Sequence, residues 1–207
     1  MQLCNFLKFN QLRRVTIFEN FHSNNQAMST AVRAAEINTA HALVEASLGL
    51  EHLAASFVTD ASYFFAQCHA KSIWPRLESL ALTSNVLHPQ TQPVHINDLL
   101  ETIARVTMKM PRLRTMELWN GSAGLAGVFR FQIPEIDWTA KIIWRGTWDL
   151  PMKARVLKAW QTMVSLRMDC KLHFVTEILG ASAFITSYGD AITHLRLSNT
   201  IMHPVSS

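Results

Sequence analysis

Two segments of the chain, LESLAL at residues 77–82 and LRTMEL at residues 113–118, follow one pattern, L-x-x-L-x-L. In this pattern the last two apolar positions alternate with polar or small residues, which is the period of a strand with one buried face. Similar patterns start at Leu12, Leu50 and Ile192. The intervals between the patterns are long enough to hold helices, so the repeats predict parallel strands joined by loops and helices.

Helical patterns fill these intervals. One helix is predicted from Ser29 or Thr30 to about Leu48, with Gly49 in the left-handed conformation that ends many helices. The other predicted helices are a short one capped by Asp60, one that follows Asn97 and ends before Pro111, and one opened by Asp149 and Pro151.

These elements predict an α/β fold, an irregular leucine-rich-repeat-like solenoid with a curved, mostly parallel sheet backed by helices. Solenoids of that class carry an asparagine after the strand, whose amide binds backbone groups of the next turn. Asn20 and Asn85 stand three residues after the last apolar strand position, and Asn120 and Asn199 stand two residues after it. The alternative is an ordinary α/β sandwich in which the spacing is a coincidence.

The region from residue 121 to residue 146 departs from the repeat. Residues 128–133 and 141–147 are β-prone, which predicts a β-hairpin insertion near 128–147, carried at the edge of the sheet. Trp138, Trp144 and Trp148 lie in or beside this hairpin. They fill a core in one interpretation and form an exposed anchor in the other, because tryptophan is enriched at binding hot spots.

Composition sets the class of protein. The 207 residues are 49% hydrophobic and 16% charged, which predicts one domain over residues 1–207 and excludes collagen-like, mucin-like and disulfide-framework proteins. The 3 cysteines have no C-x-x-C spacing and indicate buried thiols in a reducing compartment. Charged residues interrupt every long apolar run, so we expect no membrane partner and a cytoplasmic or nuclear protein.

The sequence contains no recognisable catalytic or cofactor-binding motif. Gly121, Gly124 and Gly127 precede a β-prone run rather than a helix, so a phosphate-binding loop is not predicted. The 9 histidines lack metal-ligand spacing, and no G-x-S-x-G motif occurs. We therefore predict no enzyme activity, no cofactor and no metal. The alternative is an enzyme whose site is assembled only in three dimensions.

Basic residues at 105–114 and 153–158 raise the alternative of nucleic-acid binding. The net charge of +4 is small and dispersed. Glu101 stands one helical turn before Arg105, which is typical of a solvated helix face with ion pairs. Nucleic acid is therefore not the expected partner.

Longer segments of the chain resemble a family of fungal F-box-associated proteins. They are WPRLESLALTS at 74–84, MPRLRTMELWNG at 110–121, IWRGTW at 143–148 and SYGDAI at 187–192. The resemblance spans roughly residues 12–204 and concerns a carboxy-terminal region of that family. It implies the leucine-rich-like, substrate-recruiting region of a protein that joins a ubiquitin ligase through its F-box.

An F-box helical bundle would precede Leu12, where the chain has only eleven residues. The sequence therefore does not predict binding to an F-box adaptor. We expect a truncated gene product or a fragment of a longer F-box protein.

The residues that alternate with the buried strand positions are predicted to line one open side of the sheet, as in solenoids that bind proteins. Small residues in the middle of this side leave room for a partner, with Trp119 as an anchor. The alternative is that a flanking loop or the hairpin covers this side. We expect a protein-interaction module whose partner-binding residues are Arg14, Thr16, His52, Ser79, Thr83, Thr115, Glu117, Trp119, His194 and Arg196.

Overall fold

The computed structural model describes residues 12–19, 30–134, 139–168, 170–180, 183–198 and 201. Within these residues, seven strands form one sheet in the order of the chain, with β1 and β7 at its edges. They are β1 Arg14–Phe18, β2 His52–Ser56, β3 Ser79–Thr83, β4 Thr115–Ser122, β5 Leu125–Gln132, β6 Thr139–Gly146 and β7 Lys171–Ile178. Strands β1 to β4 are parallel to one another and β7 is parallel to β6, whereas β5 is antiparallel to both of its neighbours.

Helices cover both faces of this sheet. They are α1 Thr30–Ser47, α2 Ala61–Ala66, α3 Pro93–Thr107, α4 Ala154–Arg167 and α5 Tyr188–Leu195. Helices α1 to α4 share one apolar core with the sheet, and α5 belongs to a second core on the opposite face. The predicted α/β fold, with a mostly parallel sheet backed by helices, is confirmed.

Four of the five patterned segments form the predicted parallel strands. In β3 the side chains of Leu80 and Leu82 are buried in the core under the helices, and in β4 Met116 and Leu118 take the same positions. The strict alternation of these apolar residues places them on one face of the sheet, because successive side chains of a strand point to opposite faces.

The fifth predicted strand, starting at Ile192, is wrong, because this segment lies in α5. Ser187 begins the helix with a capping box, in which its side chain and that of Asp190 each accept a backbone N–H of the other. The spacing from Ile192 to Leu195 fits one turn of a helix as well as it fits the repeat pattern. His194 and Arg196 are therefore not strand residues, which corrects their prediction.

The hairpin predicted near 128–147 is confirmed as β5 and β6. Its predicted place at the edge of the sheet is wrong, because β7 pairs with β6 beyond it. No pattern indicated β7, in which the burial of side chains does not alternate regularly. Trp144 lies in the core, as one of the two interpretations held, whereas Trp138 lies outside the described residues.

Helix boundaries differ from their predictions where tertiary contacts replace local caps. Asp60 caps α2 as predicted, with its carboxylate accepting the Ser62 N–H at 2.7 Å. By contrast, α3 begins at Pro93, before Asn97. The buried Asn97 amide instead bonds the Pro151 carbonyl and the Lys153 N–H, and so holds the loop before α4.

Gly49 does not have the predicted left-handed conformation. Among the described glycines, Gly124 has a positive φ, 75°, in the turn between β4 and β5. The string formed by Gly121, Gly124 and Gly127 thus belongs to a hairpin rather than to a phosphate-binding loop.

Of the two predicted asparagines among the described residues, one bonds backbone groups with its amide, although the carbonyl that it binds precedes its strand instead of following it. Asn120 is buried, donates a hydrogen bond to the Leu87 carbonyl at 3.1 Å and accepts one from the Gly121 N–H at 2.9 Å. Asn85 is exposed, and Asn20 and Asn199 lie outside the described residues.

No helix in the described ranges combines the length and the apolar character that a membrane span requires.

Gly121 of β4 lies where the sheet and α5 come into close contact, so its substitution tests the docking of α5. A Cβ atom at this position would lie 2.6 Å from the Ala191 Cβ of α5. We expect Gly121→Ala to lower the free energy of unfolding by about 1–3 kcal/mol, because overpacking forces the layers apart. Urea denaturation measures this change. Gly49→Ala is the matched control, since its new Cβ would have no neighbour closer than 3.6 Å. An equal loss of stability in both variants would contradict the close contact of α5.

Candidate functional site

The predicted site lies on the sheet face opposite α1 to α4, called here the α5 face. The register of the strands places on this face Arg14 and Thr16 of β1, His52 of β2, Ser79 and Thr83 of β3, and Thr115, Glu117 and Trp119 of β4. The structure thus brings together eight of the ten predicted residues, because paired residues of neighbouring strands point to the same side.

Helix α5 covers the middle of this face. Trp119 and Glu117 are 0% and 1% exposed, and Thr83 is 4% exposed. The prediction of Trp119 as an exposed anchor is therefore wrong. Thr83 and Glu117 are likewise too deeply buried to contact a partner. The interpretation that another segment covers the face holds for these positions, although the segment is α5 rather than a loop or the hairpin.

Small side chains under α5 explain how the helix comes so close. Ala54, Ala81, Gly121 and Ala126 lie on the α5 face of four neighbouring strands. The buried apolar side chains that pack over the sheet here are Ile185, Ala191, Leu195, Leu197 and Ile201. The space that the small residues leave is thus filled by the chain itself.

A buried ion pair joins the sheet to this carboxy-terminal segment. Arg130 Nε donates to Glu117 Oε1 at 2.8 Å, and their side chains are 12% and 1% exposed. Arg130 also donates to the carbonyls of Leu195 and Arg196, at 3.1 and 2.6 Å. The Ser198 hydroxyl donates to Glu117 at 2.7 Å. Each of the two ions therefore has several hydrogen-bond partners, as buried charges require.

A second arginine secures the same end of α5. Arg145 Nε donates to the His194 carbonyl at 2.7 Å, and the guanidinium pairs with Glu177 on β7. The last carbonyls of a helix lack intrahelical partners and carry partial negative charge, so two guanidinium groups stabilise α5 at this end.

Aromatic rings continue the contact towards β1. The Phe57 ring lies 5.3 Å from that of Trp119 and 4.4 Å from that of Tyr188, and Phe18 lies 5.5 Å from Phe57. Within the described residues, the Trp119 indole N–H is buried without a hydrogen-bond partner. These rings pack against one another, as in a core.

One line of exposed and partly exposed side chains on the α5 face is called here the open row. It crosses all seven strands at the end where β1 to β4 begin, and each member is at least partly exposed. The register gives its members as Arg14, His52, Ser79, Thr115, Gln132, Lys141 and His173. Four of these residues were predicted from the sequence.

Sequence reasoning missed Gln132, Lys141 and His173. Gln132 and Lys141 lie opposite each other in the predicted hairpin. Extending the strand alternation into that hairpin would have placed both residues on one face. His173 could not have been found, because no pattern indicated β7.

Within the described residues, no group of three or more histidine, cysteine, aspartate or glutamate side chains could hold a metal ion. Burial raises the pKa of the Cys68 thiol to about 12, and its Sγ donates to the Phe64 carbonyl. A thiol of this kind stays protonated at neutral pH and is a poor nucleophile.

Comparison with known proteins identifies the family of the chain. A family model described as "Family of unknown function (DUF6546)" matches residues 7–203. The chain belongs to this family. No curated protein and no solved structure matches it.

Removal of the buried arginine tests the role of the ion pair in this family member. We expect Arg130→Met to lower the free energy of unfolding by about 3–5 kcal/mol, because it leaves the Glu117 carboxylate buried without its cation. Arg13→Met is the control. It breaks an Arg13–Glu51 pair whose side chains are 67% and 24% exposed, and should cost no more than about 1 kcal/mol. Urea denaturation at neutral pH compares the two variants. Equal losses of unfolding free energy would show that the buried pair stabilises the fold no more than the exposed pair does.

The cap of α5 predicts a dependence on pH. Hydrogen bonds from the Thr186 hydroxyl and N–H and from Ser187 lower the pKa of Asp190 from 3.8 to about 2. A carboxyl whose pKa is lower in the folded state stabilises that state above its unfolded pKa and loses the effect as the pH falls. The unfolding free energy of the wild type should therefore exceed that of Asp190→Asn above pH 4, and the difference should shrink towards pH 2. A difference that stays constant over this range would contradict the assignment.

Proposed function

We propose that this chain is a non-enzymatic protein-interaction module, built as an irregular leucine-rich-repeat-like solenoid, and that its open row binds a protein partner. In this proposal it acts in the cytoplasm or nucleus, as the substrate-recruiting region of an F-box ubiquitin ligase subunit would.

The arrangement of the strands supports the solenoid. Strands β1 to β4 follow the order of the chain, are parallel and have the long helices α1 and α3 on one face. Stacked strand–helix units of this kind are the building blocks of solenoids, whose exposed side chains form extended binding surfaces. The Asn120 amide, bonded to the Leu87 carbonyl of the neighbouring unit, is a further similarity to leucine-rich repeats.

The observation that carries the proposed function is the open row. Neighbouring strands hold its side chains in register, and His52 Nδ1 lies 2.9 Å from the Ser79 hydroxyl. Side chains held by a sheet lose little conformational entropy when a partner binds. The resemblance to the substrate-recruiting region of F-box proteins, carried by residues 74–84 and 110–121, favours the same function.

Site-specific photo-crosslinking tests this function. A photoreactive residue at Thr115, in the centre of the open row, should crosslink a defined protein in cell extract. The same group in place of the exposed Arg33, on α1, should not crosslink that protein. After identification and purification of the partner, Ser79→Trp and Thr115→Trp should weaken its binding at least about tenfold, since each blocks the row by bulk. Thermal unfolding controls for folding. A partner that crosslinks only at residue 33, or binds the row variants unchanged, would overturn the proposal.

A further inference from the structure

We infer that the open row binds an acidic segment of its partner in an extended conformation. This inference rests on the proposed function and adds the chemistry of the ligand. It follows from the length of the row, its unpaired cations and the hydrogen-bonding groups between them.

The row has the dimensions of an extended peptide. It crosses seven strands at right angles, and strands lie about 4.8 Å apart, so it is about 29 Å long. An extended peptide rises about 3.3 Å per residue, and about nine residues span this distance. On one side of the row, the Ser198 N–H and hydroxyl bond the Glu117 carboxylate.

The charged residues of the row are both cations, Arg14 and Lys141. Arg14 lies at one end and Lys141 on the sixth strand, and neither makes an ion pair within the described part of the chain. The exposed Lys171 neighbours Thr139 on the same face and adds charge beside His173. The two cations of the row are about 24 Å apart, the length of about seven extended residues.

The backbone of a further basic residue, Arg196, lies near the middle of the row. The Arg196 carbonyl accepts a hydrogen bond from Arg130, which lies two residues before Gln132 in β5 and on the same face. Arg196 is exposed. Its prediction as a strand residue was wrong, but the fold places it beside the same surface.

Within the described ranges, the carboxylates near the row do not pair with its cations. On the α5 face, Glu117 pairs with Arg130 and Glu177 pairs with Arg145. Just before β2, Glu51 pairs with Arg13, and Glu78 stands one position before Ser79 on the alternate side of the chain. An acidic ligand would therefore meet cations without displacing an internal ion pair of this face.

The centre of the row offers neutral hydrogen-bonding groups. His52, Ser79, Thr115 and Gln132 are all partly exposed and lie between the cations. Hydroxyl and amide groups both donate and accept, so they suit the N–H and carbonyl groups of a peptide backbone. No member of the row is a phenylalanine, tyrosine or tryptophan, the large rings on which the bases of single-stranded nucleic acids stack best. The row therefore favours an acidic peptide over a nucleic acid.

Fluorescence anisotropy with synthetic peptides tests this inference. The probe is a labelled peptide of about twelve residues that alternates glutamate and serine, long enough to span the row. Peptides with glutamine or lysine in place of glutamate are compared with it. We expect the acidic peptide to bind and the other two not to bind. Its affinity should fall as salt is raised, because exposed charges are screened.

Charge reversal locates the site. Arg14→Glu combined with Lys141→Glu should lower the affinity for the acidic peptide at least about tenfold, because two attractive charges are replaced by two repulsive ones. The matched control is Arg33→Glu combined with Lys158→Glu, which changes the net charge equally on the exposed sides of α1 and α4. The control should change affinity less than about twofold. Thermal unfolding of both variants verifies that they fold.

Each remaining outcome overturns the inference in a distinguishable way. If both double variants lowered the affinity for the acidic peptide equally, the peptide would bind to the net charge of the protein and not to the row. Binding of an oligothymidylate but not of the acidic peptide would indicate a nucleic-acid surface. Absence of peptide binding, together with a partner that still crosslinks at Thr115, would reject the acidic ligand and leave the proposed function intact.

Discussion

The buried carboxylate of Glu117 is the constraint on which the docking of α5 against the sheet depends. A carboxylate removed from water needs a cation and hydrogen-bond donors, and Glu117 has Arg130 and Ser198. Arg130 in turn bonds the final carbonyls of α5. Because one set of polar groups satisfies both the sheet and the docked segment, α5 has a defined position. The open row lies in the part of the face that this position leaves exposed.

The two faces of the sheet are built from side chains of different size. Leucine, methionine and phenylalanine of β2 to β5 meet long amphipathic helices, whereas Ala54, Ala81 and Gly121 lie beneath α5. Protein interiors are close-packed, so small residues on one face require a close neighbour. In this chain the neighbour is internal, because α5 and the residues after it pack on these small side chains.

Local patterns predicted much of the fold and less of the site. The alternation in β1 to β4 and in the hairpin is a local signal, as is the Asp60 cap, and each was confirmed. The segment after Ile192 was assigned wrongly because its spacing fits a helix and a strand repeat alike. Gln132 and Lys141 share the row with Thr115. They were missed because the alternation of the parallel strands was not extended into the predicted hairpin.

Which side chains of a strand share a face follows from the amino-acid order alone, since alternation depends only on the geometry of an extended backbone. The sequence also determined the order of strands and helices over most of the chain. Only the tertiary structure decided which part of the α5 face is exposed. That outcome depends on where α5 docks, and the docking is set by contacts between Arg130 and residues 65 and 66 positions away. No local pattern predicts contacts over such a separation. From its neighbours in the sequence alone, Arg130 is as compatible with an exposed position as with a buried one.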